Sequence, residues 1–453
     1  MADLRKTGAV GYAAVPLAGL LLPTISIVLH RESLWRALFF IGLFIEMTAS
    51  MPAHAQMSVE PGKFGWKPSG FGNLVVGGAS QGRGGGFAGS SETEIELTPQ
   101  YKTRSNTIFA IRGVANLLAA SNAGDSSSQW QLSFPELSVF AIGNFGRIEA
   151  GDRAGFPQSL IGFTPSEIAF TSAEFGPDSG RRLDPSGGLP TLFLPHPLAD
   201  RINSLTYLGY AERFYDDRSL KLIYITPRSR SGFYGAASYT PSTDISSGFD
   251  LDDGTKTPDT GLQDTGNLGV FRNIAQAAAV WTHRTQNVDV SAGSTYSYAR
   301  GSASDPTVRD SNSLSAGITA TLHDAWTFGL SGTYDGFSAF RENATTSQSP
   351  VSPYGIVGSA NYVNGPWAFG GYYQHATANS VTPQSSRDTV NIGETGISRL
   401  VDPNHDLLGA GYYTDVRLFA AAYYYRFHGA EPSNVAASED GGVFLFGVRF
   451  SFY

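Results

Sequence analysis

Two short motifs contain residues that could do chemistry. Gly78-Ala79-Ser80-Gln81-Gly82 matches the G-x-S-x-G pattern, in which a serine between a strand and a helix becomes the nucleophile of a hydrolase. The run Gly82-Arg83-Gly84-Gly85-Gly86 follows at once, and so many glycines do not begin a helix. The serine therefore lacks the local structure that would activate it. The same glycines lack the lysine and hydroxyl residue of a phosphate-binding loop.

The candidate metal ligands also fail their motifs. Asp250, Asp252, Asp253 and Gly254 resemble part of a calcium loop, but no glutamate closes the loop at the required spacing. The histidines are scattered without the H-E-x-x-H pattern, and the chain has no cysteine. We therefore predict no enzyme activity, no catalytic residue, no metal site and no cofactor.

Charged residues recur instead at every second position of short segments. Glu94 and Glu96 alternate with Ile95 and Leu97, as the side chains of a β-strand do when its two faces meet different surroundings. A charge facing lipid would cost about 2–4 kcal/mol at the bilayer midplane, so the charged faces are expected to face water. By this pattern the cations predicted to face a water-filled interior are Lys102, Arg112 and Arg147. The arginines would line a pore or pair with Glu94, Glu96 or Glu149.

The same alternation predicts sixteen strands. In the last one, Phe444, Phe446 and Phe450 share a face that would suit lipid, whereas Arg449 and Ser451 share the other. In 416–428 the pattern places Arg426 and His428 toward water and Phe419, Tyr423 and Phe427 toward lipid. The strands are predicted at 71–79, 92–102, 106–119, 131–142, 146–152, 217–226, 231–240, 272–283, 287–299, 311–322, 325–334, 354–363, 367–375, 404–413, 416–428 and 441–453.

The connections between these strands alternate in length. Short turns such as 103–105, 143–145, 323–324, 364–366 and 414–415 alternate with long segments, which include 153–216 and 376–403. One rim of the sheet would then be tight and the other elaborated, as in outer-membrane barrels with short periplasmic turns and long extracellular loops. Tryptophans and tyrosines near strand ends (Trp130, Trp281, Trp326, Trp367, Tyr372, Tyr373) suit interfacial girdles. The fold class predicted is an all-β, 16-stranded antiparallel transmembrane β-barrel over residues 71–453.

Composition and the first residues agree with an exported protein. A net charge of −8 argues against a nucleic-acid partner, because binding phosphates requires a basic field. Residues 37–45 form an apolar run after Arg31 and Arg36, and Ala53-His54-Ala55 forms an A-x-A cleavage site. We predict an upstream extension plus signal peptide over 1–55, cleaved after Ala55, and an N-terminal lead over 56–70.

The longest connection, 153–216, is expected to control the function. A sixteen-stranded barrel is too wide to be filled by its own side chains, so it holds an aqueous channel unless something narrows it. A connection of this length is usually functional or disordered, and this one is rich in phenylalanine and leucine. We predict that it folds inward as a constriction loop.

Several segments resemble Gram-negative general diffusion porins. Ala173-Glu174-Phe175-Gly176-Pro177-Asp178 is similar to the Pro-Glu-Phe-Gly-Gly-Asp of the constriction loop in enterobacterial porins. Asp200-Arg201-Ile202-Asn203-Ser204-Leu205-Thr206-Tyr207 is similar to the Arg-x-x-Asn-Ser-x-x-Tyr that follows that loop. Ile225-Thr226-Pro227-Arg228, Gly365-Pro366-Trp367-Ala368 and the closing Gly447–Phe452 resemble alphaproteobacterial porins.

The resemblance implies an outer-membrane porin that lets small hydrophilic solutes and ions diffuse passively. It implies that Glu174 and Asp178 line the acidic side of the constriction, with wall cations opposite, for which Lys102, Arg112 and Arg147 are the candidates. It also implies a homotrimer, contacts with membrane lipids and lipopolysaccharide, and assembly by the barrel assembly machinery through the C-terminal strand. Tyr453 departs from the pattern by adding one residue beyond Phe452.

Other functions remain alternatives at this point. A substrate-specific outer-membrane channel for sugars or phosphate would share the fold, although no aromatic wall or surplus of loop cations stands out. A secreted β-rich glycan-binding protein or hydrolase would share the strands but would be extracted without detergent. The acidic balance of the chain favours mild cation selectivity.

Overall fold

The computed structural model of the protein describes residues 60–80, 87–121, 128–153, 219–243, 250–252, 271–301, 310–336, 352–378, 387–405, 414–429 and 438–452. Between 153 and 219 it describes Leu194, Leu198, Ile202, Leu205, Leu208, Gly209 and Phe214. No helix in these parts of the chain is both long and apolar enough to cross a bilayer. The predicted signal peptide, Glu174 and Asp178 lie outside the described residues.

The described residues form strands with short connections at one rim. Their bounds are β1 Phe64–Ala79, β2 Phe87–Lys102, β3 Ile108–Ser121, β4 Ser128–Gly143, β5 Gly146–Asp152, β6 Leu220–Ile225, β7 Phe233–Ser242, β8 Asp250–Asp252, β9 Arg272–Arg284, β10 Val288–Arg300, β11 Ser311–Leu322, β12 Trp326–Tyr334, β13 Tyr354–Asn364, β14 Trp367–Ala378, β15 Asp388–His405, β16 Thr414–His428 and β17 Ser438–Phe452.

The strands close into a barrel. Each long strand pairs antiparallel with the next, and β17 pairs with β1 from Gly70↔Phe452 to Ala79↔Val443. β8 stands outside this ring, because β7 pairs directly with β9 while β8 pairs with the end of β4 that extends past the short β5. The remaining strands form the closed 16-stranded antiparallel barrel that the sequence predicted.

The outer face of the barrel is apolar. Phe446 is 55% exposed and Leu330 is 53% exposed, although both lie in the middle of regular strands. Their neighbours along the chain turn inward, and many of the inward residues are polar or charged. This inverted distribution is what a sheet requires when lipid lies outside and water inside, because backbone groups are satisfied within the sheet and side chains alone meet the two solvents.

The short turns lie at one rim together with aromatic residues. His323 and Asp324 both have positive φ, of 52° and 53°, as a tight hairpin between β11 and β12 needs. Trp326 and Trp367 are 45% and 38% exposed beside these turns, as predicted for an interfacial girdle. Tyr372 is different, since it is 5% exposed and faces inward, so its predicted interfacial position is wrong.

The strand predicted at 404–413 has the wrong start, and residues 406–413 lie outside the described residues. β15, the neighbour of β16, covers Asp388–His405, mostly within the stretch 376–403 predicted as a long loop, and Thr414 and Asp415 belong to β16 rather than to a turn. Val390 and Ile392 face inward here while Asn391 and Thr395 face outward, so the expected polarity is reversed and the stretch did not read as a membrane strand. β1 also begins at Phe64, inside the predicted lead.

The faces of β16 are the reverse of those predicted. Phe419, Tyr423 and Phe427 are buried on the inner side, whereas Arg426 and His428 are exposed on the outer side toward the elaborated rim. Alternation grouped the residues into the correct two faces, but the face predicted to meet water is the outer face and the face predicted to meet lipid is the inner face. The reason is that this part of the inner wall is covered by protein, as described below.

Candidate functional site

The inner wall over β2–β5 carries a network of buried charges. Arg112 of β3 has a side chain only 3% exposed, and its Nη2 lies 3.2 Å from Glu96 of β2 and 3.5 Å from Glu136 of β4. Strand alternation places all three on the inner face, and Glu96 and Glu136 are the partners of Val114 on either side of β3, which makes them diagonal neighbours of Arg112. The predicted alternative that Arg112 pairs with Glu94 or Glu96 is thus confirmed for Glu96.

Glu149 of β5 is the centre of a second group. Its carboxylate accepts hydrogen bonds from Arg147 Nε at 3.0 Å, Arg153 Nη1 at 2.8 Å and Ser138 Oγ at 2.7 Å. Ser138 is also the direct partner of Arg112 across β3 and β4, so the two groups are contiguous. Two cations share one carboxylate whose side chain is 2% exposed, which keeps the charges paired while fixing their positions.

This charged wall, defined by Glu96, Arg112, Glu136, Ser138, Arg147, Glu149 and Arg153, brings together two of the predicted cations. Arg147 also lies with its guanidinium carbon 4.2 Å from the centre of the Phe140 ring, which stacks it on the wall. Lys102 is different. It ends β2 beside the turn to β3, about 13 Å along the strand from the level of Arg112 at 3.3 Å per residue. Its pore role stays a prediction.

Glu136 and Arg153 were not among the predicted site residues. Glu136 lies on the same parity of β4 as Ser138, so alternation alone could have placed it inside. Arg153 follows the last residue of β5, and its contact with Glu149 requires the chain to continue as an extended backbone past the strand end. No sequence pattern specified that.

A second sector of the inner wall carries hydroxyl groups. Over β10–β12 the buried inward residues are Thr295, Ser297, Ser311, Ser313, Ser315, Ser331 and Thr333. Thr333 donates to Ser315 at 3.1 Å across the β11–β12 pair, and Ser238 of β7 donates to Gln276 of β9 at 2.7 Å. The hydroxyl residues named for β10–β12 are at most 5% exposed, so this sector of the wall is polar but buried.

The third sector, over β13–β17, is mostly apolar. Its inward residues include Val357, Val390, Ile392, Phe419, Tyr423, Tyr425, Phe427 and Leu445, all at most 5% exposed. They are not bare to the lumen, because Leu194, Leu198, Ile202, Leu205 and Leu208 pack against them. Burial of five such side chains stabilises the contact by about 1.5–3 kcal/mol each, as an upper bound.

The residues that cover this wall belong to the predicted constriction loop. Leu198, Ile202 and Leu205 are in helical conformation, and their spacing of four and then three residues places them on one face of a helix. The stretch was predicted only as a loop, so this helical spacing was not recognised from the sequence. At the described residues, the loop does lie inside the barrel, against β13–β17.

Ser80, the serine of the G-x-S-x-G pattern, has a structural role. It follows the end of β1, and its Oγ accepts a hydrogen bond from the Gly442 amide at 2.9 Å while its own amide donates to the Gly442 carbonyl at 2.8 Å. These bonds join β1 to β17 where the barrel closes. The motif therefore contributes to closure and lacks a strand–turn–helix geometry at its described residues.

A closed barrel with an apolar outside, a polar inner wall and a segment packed within it defines a membrane channel. Comparison with known proteins makes this specific. The sequence model of the Gram-negative porin family matches residues 42–441, and the chain therefore belongs to that family. It is an outer-membrane diffusion channel. Comparison with curated protein sequences gives no match.

Solved structures share the fold at low sequence identity. OmpF of Salmonella typhi in complex with daunomycin is 10% identical, with a TM-score of 0.52 over 85% of this chain and 97% of that one. An anion-selective porin from Comamonas acidovorans is 12% identical, with a TM-score of 0.47 over 86% of this chain and 100% of that one. OmpT of Vibrio cholerae, in a trimer form, is 12% identical, with a TM-score of 0.47 over 86% of this chain and 99% of that one.

Proposed function

We propose that small hydrophilic solutes and ions cross this channel between the charged wall and the segment packed on the opposite side. The supporting observation is geometric. β4, in the middle of the charged wall, and β13, in the covered wall, are eight strands apart in either direction around the ring. Solutes passing the packed segment would therefore pass close to Arg112, Arg147 and Glu149.

Opposed charges at such a passage would act on the solute. Arginines on the wall and carboxylates on the inward loop would create a transverse field, which orders water and disfavours apolar solutes. Glu174 and Asp178 are the predicted carboxylates of the loop, and Arg112 and Arg147 the predicted cations of the wall. This pairing is a proposal drawn from the family's constriction pattern.

We further propose a homotrimer in the outer membrane that contacts lipopolysaccharide and is inserted by the barrel assembly machinery. Residues 1–55 would serve as an export segment removed after Ala55. No catalytic step belongs to the proposal.

Planar-bilayer recordings of the purified protein test this function. We expect stepwise conductance in proportion to salt concentration, and a reversal potential in a KCl gradient that favours K⁺ over Cl⁻. Glu174→Gln should shift the reversal potential toward the equilibrium potential of Cl⁻. Arg112→Gln should shift it toward the equilibrium potential of K⁺. A protein without conductance would overturn the channel proposal, and anion preference would overturn the cation selectivity. Block of the current by one sugar or by phosphate would favour a substrate-specific channel.

A further inference from the structure

The apolar sector of the inner wall has a close contact at a glycine. A Cβ added to Gly355 of β13 would lie 2.5 Å from both the carbonyl carbon and the oxygen of Leu208. Distances this short do not occur between a real Cβ and backbone atoms. The backbone of the inward segment thus lies directly on β13 at this residue. Gly355 lies in a regular strand, in register with Ala376 and Thr333, so strand conformation alone does not require a glycine there.

A buried amide holds the same residue of the segment. Gln374 of β14 is fully buried, and its Nε2 donates a hydrogen bond of 2.7 Å to the carbonyl oxygen of Leu208. Leu208 also donates its amide to the Leu205 carbonyl at 3.1 Å, which ends the helical turn. A weaker bond of 3.4 Å joins Gln276 of β9 to the carbonyl of Phe214. The segment is therefore fixed by directional bonds as well as by apolar packing.

We infer that Gly355 and Gln374 form a docking seat that fixes the inward segment on the wall and so sets the width of the channel. Both are positioning residues, since they act on the solute path through Leu208. An apolar wall facing a wet lumen would be unfavourable, and the seat keeps it covered. This inference rests on the proposed function for its effect on conductance, but the docking itself can be measured separately.

The experiment uses a reporter cysteine in the full chain, which contains no other cysteine. Leu205→Cys replaces a side chain with 0% exposure, so a membrane-impermeant maleimide should label it slowly in the intact barrel. Adding Gly355→Ala should speed labelling about tenfold, because the methyl group displaces Leu208 and local opening sets the rate. Gln374→Met should act in the same direction by removing the donor.

Gly358→Ala is the matched control. It lies on the same strand, and a Cβ there would meet nothing within 4 Å. The control should label like the reporter alone and keep its conductance, whereas Gly355→Ala should conduct more because the segment leaves its seat. Heat-modifiable gel mobility confirms that each variant is folded.

The outcomes separate the two proposals. Equal labelling rates of the reporter cysteine in the Gly355→Ala, Gln374→Met and Gly358→Ala variants would overturn the docking seat. If Gly355→Ala does not fold, the comparison of Gln374→Met with Gly358→Ala decides. Faster labelling in a protein that conducts nothing would support the seat and reject the channel. Faster labelling with unchanged conductance would show that the seat does not control the width.

Discussion

At the scale of single residues, the inner wall shows how buried charges can remain near a water-filled passage. The carboxylate of Glu149 pairs with both Arg147 and Arg153, and it also accepts a hydrogen bond from the hydroxyl of Ser138. Removing a partner from such a group leaves a desolvated charge, which costs more than the pair itself contributes. The group therefore fixes the positions of the cations, and it also determines the charge of the wall.

Neutralising Glu149 should change selectivity. Glu149→Gln leaves both arginines without their carboxylate, so the wall becomes more positive. The reversal potential in a KCl gradient should therefore shift toward the equilibrium potential of Cl⁻. We also expect a loss of about 3–5 kcal/mol in the free energy of unfolding, because two buried arginines lose their carboxylate. Glu60→Gln is the control, because Glu60 is paired with Lys63 at the exposed start of the chain's described part. Identical reversal potentials for the two variants would contradict a role for Glu149 in the passage.

At the scale of strands, alternation predicts two faces but not always which solvent each face meets. In β5 the faces follow the simple rule, with Arg147 and Glu149 inside and Ile148 outside. In β16, and at Val390 and Ile392 of β15, the inner face is apolar because the inward segment covers it. The prediction failed for β15 because Val390 and Ile392 face inward while Asn391 and Thr395 face outward, which reverses the polarity expected of a membrane strand.

The lipid-facing side should reject charge in the middle of a strand. Leu330 lies at the centre of β12 and is 53% exposed on the outer face. We expect Leu330→Arg to lower the free energy of unfolding by about 2–4 kcal/mol if the residue lies near the bilayer midplane. The folded fraction of the protein in lipid vesicles can be followed by its heat-modifiable gel mobility at increasing urea concentrations. Leu330→Met is the control. Equal midpoints for the two variants would place this face away from lipid.

At the scale of the whole molecule, closure depends on residues far apart in the sequence. β1 and β17 pair over ten residues on each strand, and Ser80 extends the pairing with two hydrogen bonds to Gly442. Closure removes both sheet edges, which could not persist in hydrocarbon. It also produces the enclosed lumen in which the inward segment packs.

A cysteine pair should report the closure. Leu74 and Val448 are direct partners in the β1–β17 register, and facing residues of an antiparallel pair lie within reach of a disulfide. Oxidation of Leu74→Cys/Val448→Cys should give an intramolecular crosslink, seen as faster migration of the heat-denatured chain without reductant. The pair Leu74→Cys/Ile318→Cys should not crosslink, because β1 and β11 are not neighbours. Crosslinking of both pairs, or of neither, would contradict the register.

Part of the candidate site could be predicted from the sequence. The inward position of Arg112 and Arg147, and their pairing with Glu96 and Glu149, follow from strand parity and proximity along and between neighbouring strands. Strand parity would also have placed Glu136 inside, but its contact with Arg112 depends on the β3–β4 register, and the contact of Arg153 depends on where β5 ends. Gly355 and Gln374 gave no signal at all, because their partner Leu208 lies more than a hundred residues earlier in the chain.

The sequence by itself determined the strands with two unlike faces, their even number, the tight turns at one rim and the family resemblance. These depend on local alternation and turn chemistry, which a short stretch of residues specifies. Only the tertiary structure decided which wall is charged, which wall is mostly apolar and where the described residues Leu194, Leu198, Ile202, Leu205 and Leu208 dock. The solvent that a face meets is set by what lies across the lumen, and that contact joins strands from distant parts of the chain.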